Sequence, residues 1–217
     1  MQKSFMTEQQ ADARDLFRAA YEHRYTWDEN FPGYSADIEL KQGDEVYSGH
    51  GCIKGDMTVE VSGIADEEVQ QSVYTQLRDI VTHRKRSNFE KSHGNNNFTA
   101  GESDGDGNLE ILVQGDSMGS NYKIKNHNIT QVSRVMGRMA FVIDTYDYLE
   151  TPEGSLATRY DAVFRNPQTG EIIKELEFED SFEKFGNYYL MTKQVIRAQE
   201  KGQATTTEFN YSNIKLL

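Results

Sequence analysis

From Leu109 to Leu217 the chain is an almost unbroken series of strand-like runs, and this limits its fold more than any other feature. The runs are Leu109–Gln114, Asn121–Lys125, Ile129–Met136, Met139–Glu150, Ser155–Asn166, Glu171–Phe185, Tyr188–Gln199 and Ala204–Leu217. Turn signals separate the later ones, at Pro152-Glu153-Gly154, Asn166-Pro167-Gln168-Thr169-Gly170, Gly186-Asn187 and Lys201-Gly202. Connections this short join antiparallel neighbours, so residues 109–217 read as a meander. Leu156, Tyr160, Ala162 and Phe164 face one way and Arg159, Asp161 and Arg165 the other, with Val163 breaking the alternation. One face is therefore expected to be buried and the other wet. Only 36% of the residues are hydrophobic, so the apolar area has to come from the 12 Tyr and 11 Phe.

The first hundred residues carry two helical patterns. Residues 7–24 open on a T-x-x-Q capping box, Thr7 with Gln10. Ala13, Leu16, Phe17, Ala20 and Tyr21 then form one apolar stripe, and His23 and Arg24 suit the negative end of the helix dipole. Phe31-Pro32-Gly33 turns the chain into a strand in which Tyr34, Ala36, Ile38 and Leu40 alternate with polar residues. After the Gln42-Gly43-Asp44 turn, Val46–Lys54 runs back as a glycine-interrupted strand, and Thr58–Val61 gives a short one. Residues 65–86 form the second helix, capped by Asp66, with Val69, Val73, Leu77, Ile80 and Val81 on a single apolar face. Residues 93–108 read as a polar loop anchored by Phe98. No linker or repeat divides residues 1–217, which predicts a single domain. The class expected is α+β and mostly β: a strongly curved antiparallel sheet, half-barrel or barrel. It has about nine to ten strands, with two amphipathic helices covering its concave face.

Several function classes are disfavoured. No run approaches the roughly 18 apolar residues of a membrane span, and no apolar leader segment follows Lys3. The single cysteine, Cys52, forms no internal disulfide, so a reducing, cytoplasmic setting is expected. A net charge of -12 disfavours nucleic acid or an anionic lipid surface as the main partner. Asp104-Gly105-Asp106-Gly107-Asn108 resembles a calcium loop, but no register supplies both the glycine and the distal glutamate, so a hairpin tip is expected. His23, His50, His83, His93 and His127 have no zinc-site spacing. His50 and Cys52 share a strand face and could pair base with nucleophile, but no third orienting group or oxyanion hole is evident. Asp144 and Asp147 point to opposite faces, while Glu177, Glu179 and Asp180 read as a solvated face. Gly115-Asp116-Ser117-Met118-Gly119 reads as a turn. No catalytic residue, metal site or cofactor is predicted.

The aromatic residues point elsewhere. Most build the core, but a curved sheet under helices can also leave an apolar pocket. The lining expected for it is Trp27, Leu77, Phe141, Tyr160, Phe164, Phe178, Tyr189 and Met191, with Met136 and Met139 as adaptable neighbours. The leading expectation is a non-catalytic soluble protein that holds a lipid, isoprenoid or pigment between sheet and helices. The alternatives are a protein-interaction or assembly factor with a basic partner, and an enzyme built on His50 and Cys52 or an unrecognised carboxylate.

Arg24-Tyr25-Thr26-Trp27-Asp28-Glu29-Asn30-Phe31-Pro32-Gly33-Tyr34 and Asp144-Thr145-Tyr146-Asp147-Tyr148-Leu149-Glu150 resemble an uncharacterised family of cyanobacterial and plant chloroplast proteins. The resemblance implies a photosynthetic organism and supplies no catalytic residues. In element order the chain also looks like the lipoprotein carriers (LolA, LolB and mycobacterial relatives), and Phe209-Asn210-Tyr211-Ser212-Asn213-Ile214-Lys215-Leu216 is similar to their last strand. That likeness implies a half-closed antiparallel barrel whose helix-covered side holds acyl chains. The carriers are exported, whereas this sequence shows neither a leader nor a lipobox cysteine, so their shuttle role is not expected to carry over.

Overall fold

The computed structural model describes residues 2–115 and 120–217, with side chains from residue 12 onward. Among the described residues twelve strands form an antiparallel sheet, ordered β3-β2-β1-β12-β11-β10-β9-β8-β7-β6-β5-β4. They are β1 (Gly33–Gln42), β2 (Glu45–Lys54), β3 (Val59–Ser62), β4 (Asn97–Ser103), β5 (Leu109–Gln114) and β6 (Ser120–Lys125). The remainder are β7 (Asn128–Met136), β8 (Met139–Thr151), β9 (Gly154–Arg165), β10 (Ile172–Phe185), β11 (Tyr188–Glu200) and β12 (Gln203–Leu216). The helices are α1 (Gln2–His23), α2 (Glu67–Arg84) and the short α3 (Phe89–His93). The mostly-β class agrees with expectation; among the described residues there are twelve strands, against about nine to ten expected, and three helices, against two. One strand, β4, lies within the stretch expected to be a loop. It is an edge strand with Phe98 as its one buried side chain, so it has almost no hydropathy signal.

The chain divides into two compact units. The first comprises Met1–Tyr25 and Ser87–Leu176. Its core joins Ala13, Phe17 and Ala20 of α1 to Phe89 of α3 and to Phe98, Ile111, Val113, Tyr122 and Ile124 of the sheet. Spacings of four and three residues put the three α1 side chains on one face. Leu16, expected in that stripe, is instead 42% exposed. Helix α1 begins at Gln2, so Thr7 lies inside it, and the side chains of the capping box fall outside the described residues. So does most of the turn at Gly115–Gly119.

His93 is buried in this unit against the rings of Phe17, Tyr21, Phe89 and Phe98. Its Nδ1 accepts from Asn96 Nδ2 at 3.0 Å, the arrangement of a neutral imidazole. Burial first, then the cations Arg24, Arg134 and Arg14, hold its pKa below the ordinary 6.5. The unfolded chain therefore takes up this proton before the folded one does. Stability from this site is complete above about pH 6.5 and is lost as pH falls towards the lower folded value. The urea midpoint is expected to drop over that window in the wild type and to drop less in His93→Phe. Parallel pH curves for the two proteins would count against the assignment.

The second unit comprises Thr26–Arg86 and Glu177–Leu217. Asp66 caps α2 through bonds from the backbone N–H groups of Glu68 and Val69, and Val69, Val73, Leu77, Ile80 and Val81 are its buried face. The glycines that interrupt β2 let this helix close on the sheet. A Cβ on Gly51 would lie 2.5 Å from Ile38 Cδ1 and 2.8 Å from Leu77 Cδ1. Trp27 is buried nearby, stacked on Phe31 at 4.1 Å, with its backbone N–H bonded to the Arg84 carbonyl at 2.8 Å.

Candidate functional site

In the second unit a polar groove of about 320 Å³ lies on the sheet face that carries Ser35 and Asp37 of β1, the residues that alternate with the buried Tyr34, Ala36 and Ile38. Strand register arranges it in two rows. Ser62, His50 and Asp37 lie side by side on β3, β2 and β1; Glu60, Cys52, Ser35 and Lys215 make the second row across β3, β2, β1 and β12. His50 Nδ1 is 2.6 Å from Asp37 Oδ1, and Asn213 Nδ2 donates to Asp37 Oδ2 at 2.7 Å. The Asn213 and His50 bonds hold the Asp37 carboxyl below its usual range.

Asp37 is thus the orienting group for His50 that sequence reading did not find. The signal was present: counting outward from the Gly43-Asp44 turn sets Asp37 opposite His50. The chemistry stops short of an activated nucleophile. Partial burial first, then Glu60, push the Cys52 thiol up, and no hydrogen bond joins it to His50 among the described residues. The His50 side chain is 67% exposed, where an ion pair contributes little.

Behind that sheet face, the interior beneath α2 is partly polar. Gln76 Nε2 donates to Gln194 Oε1 at 2.6 Å, and Gln194 Nε2 donates to Asp180 Oδ1 at 2.8 Å. Asp180 is buried, contrary to the solvated face expected for it. Its even position on β10 matches Phe178 and Phe182, so strict alternation already put it on their side. The buried Tyr34 hydroxyl has no hydrogen-bond partner among the described residues, and burial raises the Tyr34 and Tyr211 phenol pKa values.

The eight residues expected to line an apolar pocket divide between the units. Trp27, Leu77 and Met191 are buried in the second unit, with Phe178 and Tyr189 half-buried there. The Tyr189 carbonyl accepts from Trp27 Nε1 at 3.4 Å, and its ring lies under Lys184 Nζ at 5.4 Å. Phe141, Tyr160 and Phe164 are half-buried in the first unit. There Phe141 pairs with Phe164 across β8 and β9, their ring centroids 6.0 Å apart. Ile143 pairs with Val132 and Ala162 one step along the same face. The face also holds the buried Tyr122, which pairs with Val132 and belongs to the core under α1. Helix α1 is seated chiefly on β4, with lesser contact on β6, β7 and β9, which leaves Phe141, Ile143 and Phe164 half-buried beyond it.

The family model of DUF3386, proteins of unknown function, matches residues 8–217. The chain belongs to DUF3386. None of the curated proteins matches this DUF3386 chain. Among solved structures it is similar to a LolA superfamily protein from Nitrosomonas europaea, at 12% identity and TM-score 0.36, covering 94% of this chain and 93% of that one. A DUF1329 family protein from Desulfovibrio piger is similar at 8% identity and TM-score 0.31, covering 96% and 93%. The MucA/MucB complex of Pseudomonas aeruginosa contributes a chain at 10% identity and TM-score 0.25, covering 94% of each. In this DUF3386 chain the Arg24–Tyr34 stretch carries the Trp27–Phe31 stack, and Asp144–Glu150 lies in β8. Across β8 and β9, Asp144 also faces Asp161, a carboxylate pairing that sequence reading missed.

Proposed function

We propose that this protein is a non-catalytic binding protein that holds an apolar or amphipathic small molecule (a lipid, isoprenoid or pigment) against the β7–β9 face of the first unit. The observation that carries the reading is the half-buried cluster of Phe141, Ile143 and Phe164, which continues from the aromatic core under α1. Covering such rings removes apolar surface from water at roughly 25 cal/mol per Å², so an acyl or polyene chain laid along them gains from every contact. The alternative built on His50 and Cys52 has less support, because that thiol is pushed up and lacks a base bonded to it.

Native mass spectrometry and solvent extraction of purified protein test the reading. An apolar molecule is expected to copurify or to bind on addition of a fluorescent fatty acid. Phe141→Ser combined with Phe164→Ser is expected to weaken that binding by about tenfold or more. Failure of the wild type to bind any apolar probe, or undiminished binding by the double variant, would defeat the assignment.

A further inference from the structure

Ten large apolar side chains are exposed among the described residues, and five of them gather at one end of the first unit's sheet. Val135, Met136 and Met139 flank the β7–β8 turn at 50%, 49% and 42% exposure, and Ile172 and Ile173 start β10 at 45% and 37%. The register Met136 with Met139, and Ala140 with Arg165, sets the two hairpin tips side by side. Single exposed apolar residues are ordinary; five on adjacent tips are not.

The charge of these tips is opposite to that of the chain. From Asn126 to Ile143 the sequence has Arg134 and Arg138 and no carboxylate, and at the second tip Arg165 and Lys174 outweigh Glu171, while the whole chain carries -12. Arg134 is held by Ser120 Oγ at 2.7 Å and the Tyr122 hydroxyl at 3.2 Å. Arg138 forms no ion pair among the described residues. Screening at physiological salt acts over about 8 Å, so a projecting tip presents its own charge to a surface rather than the net charge of the chain.

We propose that the β7–β8 and β9–β10 tips form a docking surface for a lipid bilayer bearing anionic phosphates. Met136, Met139 and Val135 enter the interfacial region, and Arg138 and Arg165 contact lipid phosphates. The shape favours a bilayer over a protein partner: two narrow turns carrying unbranched methionines enter a soft interface and offer little flat area. Met136 and Met139 also share the face of Phe141, Phe164 and Ile143, so the docked end opens onto the proposed ligand surface. The inference deepens the ligand reading by naming a bilayer as the source or destination of the ligand, and it rests on that reading for this consequence alone.

Flotation with vesicles tests it. The intact chain is expected to float with vesicles of phosphatidylcholine and phosphatidylglycerol. Met136→Asp combined with Met139→Asp is expected to lower the bound fraction by about tenfold, and Arg138→Glu by about threefold. Val46→Asp, at an exposed apolar residue of the second unit, is expected to float like the wild type. Circular dichroism of each variant establishes that it is folded. No flotation of the wild type, or equal flotation of the double aspartate variant, overturns the proposal. So does a dimer of the wild type that the double variant dissolves without any vesicle binding, because the tips then join two copies. Equal binding to phosphatidylcholine alone overturns the role of the arginines. Extractable ligand without flotation ends the docking proposal and leaves the ligand reading standing; flotation without extractable ligand does the reverse.

Discussion

Phe17→Ala is expected to destabilise the first unit by about 3–5 kcal/mol, a large share of the roughly 5–15 kcal/mol that holds a protein folded. Phe17 is wholly buried, and five rings surround it: Tyr122 at 4.6 Å, Phe98 and His93 at 5.1 Å, Tyr21 at 6.1 Å and Phe89 at 6.2 Å. These neighbours come from α1, α3, β4 and β6, so they cannot collapse together into the space a phenyl ring leaves. Removing the ring uncouples α1 and α3 from the sheet. Leu16→Ala, one residue away and largely exposed, is expected to cost about 0.5 kcal/mol or less. Urea denaturation followed by circular dichroism measures both. A loss below about 1 kcal/mol for Phe17→Ala would remove it from the centre of the core.

Gly33→Ala is expected to destabilise the second unit by about 3 kcal/mol or more. Gly33 has φ of +92°, and a Cβ there would lie 2.5 Å from the Ile53 carbonyl oxygen and 2.8 Å from both Gly55 N and Lys54 C. All three are backbone atoms at the end of β2, where no side chain can swing aside. The Gly33 carbonyl also accepts from Leu217 N–H at 3.1 Å, so a shift at Gly33 disturbs the end of β12 as well. Gly43→Ala is the matched control. Its φ is +59° with nothing within 4 Å of a Cβ, and only the left-handed conformation is penalised, by about 1 kcal/mol. Trp27 is the chain's one tryptophan and is buried in this unit, so its fluorescence reports the second unit's unfolding. Equal midpoint losses for the two variants would refute the close-approach account.

The antiparallel sheet was legible because its turns carry proline, glycine and asparagine at short intervals and its strands alternate. Strand β4 was not, because an edge strand with wet faces needs no apolar periodicity. Asp180 was assigned to the wrong face by its charge, although its position relative to Phe178 and Phe182 was correct in the sequence. Asp37 and His50 were within reach of simple counting from the Gly43-Asp44 turn. What no local pattern specifies is how far a helix reaches across a sheet. Phe17 and Phe164 are alike as residues, yet one is enclosed by α1 and α3 and the other stays half-buried, a difference set by long-range packing.

The placement of β1 between β2 and β12 has a consequence for synthesis. Tyr34 finds Ile53 as soon as the first hairpin has left the ribosome, but its other neighbour, Leu216, is made far later. Until then β1 presents an open strand edge, and the second unit waits for β12. Loss of β12, by truncation or proteolysis, therefore strips a partner from β1 and returns a nascent, aggregation-prone edge to solvent.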